Sequence, residues 1–450
     1  MPATCDNHTV SEQQVDYVLR VVEERRIRVV QLWFTDVLGR QKAFHVTPPE
    51  LEDALDEGMT FDGSAIDGFS RVQEADVLAK PDLDTFQLLP WHPEGEGVAR
   101  VFCDIATVDG APFEGCPRNR LRRVLDGAHD EGFTMFVAPE VEYFYFDSLE
   151  PTGPPHPVDT GSYFDLGTDD RVGGVRRHTV RTLEEMGIPV EHAQHEDGPG
   201  QHELDLRYTD ALTMADTVMT VRHVVKELAR SAGIAASFMP KPLAGVQGSG
   251  MHTHVSLWRD EANAFCDPDD AYGLSPLAHQ FIAGLLAHAK EITAVTNQWV
   301  NSYKRLVPGH EAPVHVSWAR NNRSALVRVP TVKPTKTDST RVEYRAPDSA
   351  ANPYLCFAVI LAAGMAGVRG GYELPPEVTG NLFDRAEGHD LERLPSSLKE
   401  ATDTMAGSEL LHDTLGDHLV EWFLRNKRAE WAAYAESVTP FELDRYLPLL

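Results

Sequence analysis

Apolar residues in this chain recur at helical spacing in some stretches and alternate with polar ones in others, and the two periods separate its elements. Ser11 and Gln14 stand at capping-box spacing, and the amphipathic stretch behind them predicts a helix to about Glu24. Residues 27–35 are rich in β-branched and aromatic side chains and read as a strand. Asp36-Val37-Leu38-Gly39 reads as a turn, 41–46 as the returning strand and 49–57 as a short helix. This small unit runs to about Ala111. Gly115-Cys116-Pro117 marks a junction, because 118–131 is helical again. Beyond it strands alternate with helices predicted at 172–186, 211–232, 276–296, 354–367 and 412–435. The chain has no repeats or low-complexity runs, and its 450 residues exceed one ordinary core, so two tightly joined domains are expected.

Four of the strand-like segments carry charge on one face, since residues two apart share a side of a strand. Glu140 and Glu142 are so placed, as are Glu203, Asp205 and Arg207; His252 and His254; and Arg341, Glu343 and Arg345. One such segment alone is an ordinary wet face. Four of them carry carboxylates, imidazoles and guanidiniums, the groups that hold metal ions and phosphate. Oxygen and nitrogen donors without thiolates suit Mg2+ or Mn2+ better than zinc.

Composition changes the picture in two places. The formal charge of −28 argues against nonspecific binding to nucleic acid or an anionic membrane. Within that acidic chain, 304–345 holds nine basic residues against three acidic ones. Arginine forks suit phosphate and carboxylate oxygens, although a surface patch or intersubunit ion pairs would give the same composition. Hydrophobic content of 42% and charged content of 24% are ordinary for a globular protein. The five cysteines are scattered and odd in number, which fits a reducing cytosol. No signal peptide is read at the N-terminus, and the apolar run 354–368 reads as a buried helix rather than a membrane span. There is no GxxxxGK[ST] and no GxSxG, and Gly248-Ser249-Gly250 alone is too short for a dinucleotide motif.

Taken together, the segments resemble the glutamine synthetase family from about Ile27 to the C-terminus. Phe61-Asp62-Gly63-Ser64 resembles the latch loop. Pro139-Glu140-Val141-Glu142 and His195-Glu196 through Gly200-Gln201-His202-Glu203 resemble the metal strands. Lys241-Pro242 through Gly248-Ser249-Gly250-Met251-His252-Thr253-His254-Val255-Ser256 is similar to the ATP-region signature. Asn301 to Gly309 leads into the flap, and Asn322-Arg323-Ser324 and Arg341-Val342-Glu343-Tyr344-Arg345 complete the set. The resemblance implies an α+β fold: a β-grasp domain over 26–111 carrying the latch loop, and a catalytic domain over 116–450 whose curved antiparallel sheet forms a half-barrel flanked by helices.

It also implies roles. ATP is a substrate, with two or three Mg2+ or Mn2+ ions per active site. Glu142, Glu196 and Glu203 would hold one ion, and Glu140, His252 and Glu343 another. Tyr208, His254, Ser256, Arg328 and Arg341 would bind ATP, and Gly248, Arg305, Arg323 and Arg345 the glutamate and phosphoryl groups. Asp62, from the adjacent subunit, would bind and deprotonate the amine beside Ala65, Asp76, Tyr163, Glu196 and His310. Glu311 would sit on the flap, and Asp62, Glu311, Arg323 and Arg341 form the catalytic set. The expected assembly is a cytoplasmic homo-oligomer, a dodecamer of two hexameric rings with shared active sites, with no nucleic acid or membrane partner.

Three positions depart from the family. Ala65 stands where ammonia-using members often have a second latch serine, His310 where the flap usually has tyrosine, and Gln247 where asparagine is common. The motif at 33–39 and Arg328-Val329-Pro330 are closest in look to actinobacterial members that resemble γ-glutamylpolyamine synthetases. Three functions follow: a ligase joining glutamate to a primary amine such as a polyamine, a glutamine synthetase using ammonium, or a catalytically silent ring-forming member. The first is favoured through Ala65 and His310, and the full ligand set disfavours the third. Phe383, in Asn381-Leu382-Phe383-Asp384, replaces the tyrosine that some bacterial members adenylylate.

Overall fold

The computed structural model describes residues 12–66, 76–92, 96–149, 155–166, 170–270, 272–333, 335–383 and 390–450. The expected capping residue Ser11 lies outside them. The first sheet contains β1 (Ile27–Thr35), β2 (Gln41–Val46), β3 (Met59–Asp62), β4 (Asp76–Leu88) and β5 (Gly97–Thr107) in the order β2-β1-β5-β4-β3. β1 and β5 run parallel and the other pairs antiparallel, which is the β-grasp arrangement. Period 2 divides its faces. Leu32 and Phe34 pack with Val22 and Leu51 beneath α1 (Glu12–Glu24) and α2 (Pro48–Asp56), whereas Trp33 and Phe102 belong to the core of the second domain.

The second sheet holds β6 (Thr134–Phe146), β7 (Val190–His195), β8 (Gln201–Leu206), β11 (Met251–Arg259), β13 (Trp318–Arg320), β14 (Val327–Val329) and β15 (Val342–Tyr344), in the order β13-β14-β15-β11-β6-β8-β7. Short strands β9 (Thr209–Asp210) and β10 (Ala235–Ser237) pair with β6, and β12 (Ala262–Asn263) with β11. The sheet curls into a half-barrel and is antiparallel except where β13 and β14 run parallel. Helices α3 (Pro117–Asp130), α4 (Asp170–Glu185), α5 (Ala211–Ser231), α6 (Pro276–Thr296), α7 (Ser302–Arg305), α8 (Pro353–Gly370) and α9 (Leu398–Ala406) flank it. α8 starts at Asn352, whose side chain accepts from Tyr354 N and Leu355 N, and ends at Gly371 in the left-handed region. It is the one described helix long and apolar enough to cross a membrane, and 78% of it is buried inside the fold.

One expectation fails. The helix read over 412–435 is two helices, α10 (Glu409–Leu415) and α11 (Asp417–Glu436), separated by Gly416 at φ +77. A glycine in that conformation ends a helix at little steric cost, and the apolar period continues across the break because both pieces pack on the same core. α12 (Pro440–Tyr446) closes the chain with a complete capping box at Thr439 and Glu442.

Polar contacts fasten the domains. Arg118 on α3 donates to Asp82 and Asp104 of the β-grasp strands and to Asp216 of α5 at 2.7–3.0 Å. The turn after β1 docks on the start of α8, where Asn352 donates to Asp36 O and Val37 O and Gln298 to Leu38 O.

Candidate active site

Register turns four separate charged strands into one lattice. Across β8, β6 and β11, Glu203 stands opposite Glu142, and Asp205 opposite Glu140, which stands opposite His252. Across β11, β15 and β14, His254 stands opposite Glu343, which stands opposite Arg328. Because side chains alternate, all of these lie on one face. The polar surface is thus a consequence of period-2 sequence plus strand pairing.

The face contains two acidic groups. In the first, Glu140, His252 and Glu343 bring their ligand atoms within 4.8 Å of one another. His252 Nδ1 lies 2.9 Å from Glu140 Oε2, which places its proton there and leaves Nε2 with a lone pair. Burial lowers His252 to about 4, so the ring is a neutral donor. Glu343 is fully buried, paired with Arg345 and, at 2.6 Å, with Arg328. Burial, the largest influence, would raise its carboxyl, but Arg345 together with His254 and His252 outweighs it and holds the group below its ordinary value.

In the second group, Glu142, Glu196 and Glu203 converge from β6, the end of β7 and β8. Gln194 Nε2 donates to Glu196 at 2.7 Å and to Glu203 at 2.9 Å, while Gly250 N and Gln201 Nε2 donate to Glu142. Burial and mutual repulsion push Glu142 up to about 8 and Glu203 to about 12; burial pushes Glu196 to about 7. Carboxylates crowded in this way are what a divalent cation would neutralise, and with a neutral imidazole next to them the donor chemistry fits Mg2+ or Mn2+.

Beside these groups lies a cavity of about 750 Å³ lined by Phe136, Tyr208, His254, Ser256, Lys336 and Arg341 among others. Arg341 Nε donates to His254 Nδ1 at 3.2 Å, so the opposite nitrogen carries the proton that bonds Glu140 at 2.7 Å. Phe136 stacks edge-on against both Tyr208 and Trp258. Arg305 is buried and donates to Ala346 O at 2.6 Å. A side chain on Gly248 would stand 2.2 Å from Pro240 O and 2.9 Å from Arg305, so only glycine fits that approach.

Residues expected on the acceptor side form a third group. Tyr163 OH donates to Glu311 Oε2 at 2.6 Å and accepts from Arg323, which lies 3.7 Å from the same carboxylate. Glu311 holds φ +53, a left-handed conformation that costs a non-glycine residue energy. Asp62 and Asp76 face each other across β3 and β4 in the β-grasp sheet, with Asp62 accepting from Ser64 N at 2.8 Å, rather than on the curled sheet. The side chain of Ala65 lies outside the described residues. Reading the sequence assigned no role to Gln194 or Gln201, and counted Lys336 only as part of the cationic stretch 304–345. Gln194 stands two residues before Glu196, the same spacing that revealed the carboxylates, but a neutral amide gave no charge signal.

A curled sheet that sets two acidic, cation-fitting groups beside a polar cavity of about 750 Å³ suits an enzyme that works on a phosphate-bearing substrate with divalent ions. The comparisons narrow the class. The model for "Glutamine synthetase, catalytic domain" matches residues 114–446, and that for "Glutamine synthetase, beta-Grasp domain" matches 26–108. A glutamine synthetase of Mycolicibacterium smegmatis is 54% identical over 97% of this chain and 100% of its own length; one of Thermotoga maritima is 46% identical at the same coverage. A solved "GmaS/ADP complex" superposes with a TM-score of 0.88 at 34% identity, covering 96% of this chain and 99% of that one. The chain belongs to the glutamine synthetase family and is an ATP-dependent carbon–nitrogen ligase.

Proposed function

We propose that this protein joins glutamate to the nitrogen of a primary amine, an alkylamine such as a polyamine, through a γ-glutamyl phosphate. A carboxylate cannot expel its own oxygen, so its oxygen first attacks the γ-phosphorus of ATP and ADP leaves. The amine nitrogen then attacks the acyl carbon, phosphate departs, and the amine proton passes to a neighbouring carboxylate. Glu142, Glu196 and Glu203 hold one divalent ion, and Glu140, His252 and Glu343 another. When bound, these ions neutralise the phosphate charge. Tyr208, Ser256, His254, Arg328 and Arg341 take ATP. Gly248, Arg305, Arg323 and Arg345 line the glutamate side. Glu311 closes the flap over an intermediate that water would destroy. Asp62, Ala65 and Asp76 of a neighbouring subunit complete the acceptor pocket around Tyr163, Glu196 and His310, within a dodecamer of two rings and with the domains divided at 26–111 and 116–450.

The observation that carries the reaction is the lattice of carboxylates and imidazoles on one sheet face beside the polar cavity. Ala65 and His310 support the organic acceptor: each removes a family side chain from the amine side, while the carboxylates that attract a cation are kept. The second reading, ammonium, is supported by relatives named glutamine synthetase at 53–54% identity over their whole length. Phosphate release with glutamate, ATP and Mg2+ decides, with ammonium, methylamine, ethanolamine, putrescine or spermine supplied singly. Higher kcat/KM for an organic amine supports the proposal; higher kcat/KM for ammonium replaces it with the second reading.

A further inference from the structure

Beside the hairpin that carries Glu196 and Glu203 lies a largely buried cluster that the reaction does not use. Asp159, His195 and His202 bring donor atoms within 4.8 Å of one another, an arrangement that first suggests a further metal site. The hydrogen bonds argue otherwise. A guanidinium can only donate, so Arg176 Nη1, 2.9 Å from His202 Nδ1, fixes the His202 proton on Nε2 and leaves no lone pair there for an ion. Asp159 Oδ1 already faces three donors: Gly200 N at 2.7 Å, Gly161 N at 3.1 Å and His195 Nε2 at 3.1 Å.

What the cluster does is hold a loop. Residues 155–166 have little regular structure of their own and lie against the tip between β7 and β8. Asp159 ties them to Gly200 and His195. Ser162 Oγ donates to Asp197 at 2.9 Å, and Phe164 N donates to His195 O at 3.1 Å. His195 Nδ1, 2.6 Å from Glu196 O, is held in turn by the backbone of the acidic group. The residues on both sides of Tyr163 are therefore tied down, and Phe164 accepts φ +61 within the arrangement. A Cβ on Gly161 would stand 2.5 Å from His195 Nε2, so the loop approaches the imidazole as closely as a backbone can. At the far end of this chain of contacts, the Tyr163 hydroxyl holds Glu311 of the flap.

We propose that Asp159 and His195 are positioning residues for the acceptor amine: they fix the loop that aims Tyr163 at Glu311, and so set acceptor affinity without touching substrate. This rests on the reading that Tyr163 and Glu311 form the acceptor side. Through Tyr163 the same loop links the hairpin that bears the acidic ligands to the flap, so an error in the loop reaches the amine before it reaches ATP.

The test uses the full-length protein and steady-state kinetics with its best acceptor. Asp159→Asn keeps the shape and removes the charge that His195 and two amides share. It is expected to raise the acceptor KM on the order of tenfold, the usual effect of weakening a charge-assisted hydrogen bond, with KM for ATP and glutamate within twofold of wild type. Tyr163→Phe should raise the acceptor KM by itself, and Asp159→Asn should add less than twofold on top of it, because both act through one hydroxyl. Gly161→Ala, which pushes His195 without altering any charge, should reproduce the split if Asp159→Asn folds poorly. An equal rise in all three KM values, or full additivity with Tyr163→Phe, overturns the inference. If Tyr163→Phe itself leaves the acceptor KM unchanged, the acceptor-side reading fails instead.

Discussion

Arg118→Met tests whether a buried ion network joins the two domains. The Arg118 side chain is 4% exposed and contacts three aspartates, two on the β-grasp strands and one on α5. The three are not equally dependent on it. Arg122 Nη2 also reaches Asp104 at 2.9 Å and Asp82 at 3.4 Å, so these keep a cationic partner. Among the described residues Asp216 then keeps the 2.6 Å bond from Tyr354 OH and the nearby charge of buried Arg100, but it loses its direct ion pair. Breaking one side of a buried pair costs about 3–5 kcal/mol, and the surviving tyrosine bond and the Arg100 charge place this site near 3 kcal/mol. Methionine fills most of the volume, so a cavity adds little. The assay is urea unfolding, reading the first transition. Arg118→Met should lower stability by about 3 kcal/mol, and adding Asp216→Asn should restore about 2 kcal/mol by removing the stranded charge. A single variant within about 1 kcal/mol of wild type, or a double variant no better than the single, would refute the reasoning.

Three further outcomes are expected. Asp36 is fully buried, and among the described residues its Oδ2 has no hydrogen-bond partner; burial raises its pKa above 3.8. A raised carboxyl favours folding below its unfolded pKa and loses that contribution as pH climbs through the folded value. Asp36→Asn stays neutral, so it should gain about 1–2 kcal/mol over wild type at pH 7 and progressively less toward pH 4; an equal effect at both, by urea unfolding, contradicts the burial argument. His252→Ala removes a neutral donor from the Glu140 group and should weaken Mn2+ binding at least tenfold by titration calorimetry, with the circular dichroism spectrum unchanged; unaltered affinity excludes His252 as a ligand. Phe383 has no hydroxyl, so peptide mass spectrometry after exposure to an adenylylating system should find no added AMP on the peptide that contains it.

Strand spacing made much of the site legible. Glu140, Glu142, Glu203, His252, His254 and Glu343 appear in the sequence as charges two apart, because alternation is a local property of an extended backbone. The long helices were equally plain, since each must bury one face. Gly416 was not, because a continuing apolar period conceals a break when both halves rest on the same core. Gln194 and Gln201 were missed for want of charge. The Asp159 loop has no period at all, and the hydrogen bonds that shape it come from a hairpin about 40 residues away.

By itself, then, the sequence determined which residues share a face, where the helices lie, and which chemistry the donor set can support, since these depend on near neighbours and on side-chain type. Only the tertiary structure decided how the faces are paired. Register brings Glu142 against Glu203 and Glu140 against His252, burial raises three carboxyls and keeps an imidazole neutral, and contacts such as Tyr163 to Glu311 join segments about 150 residues apart. The physical reason is that pKa, ion pairing and strain follow from distance and solvent exclusion, which strand pairing and packing set and local sequence does not.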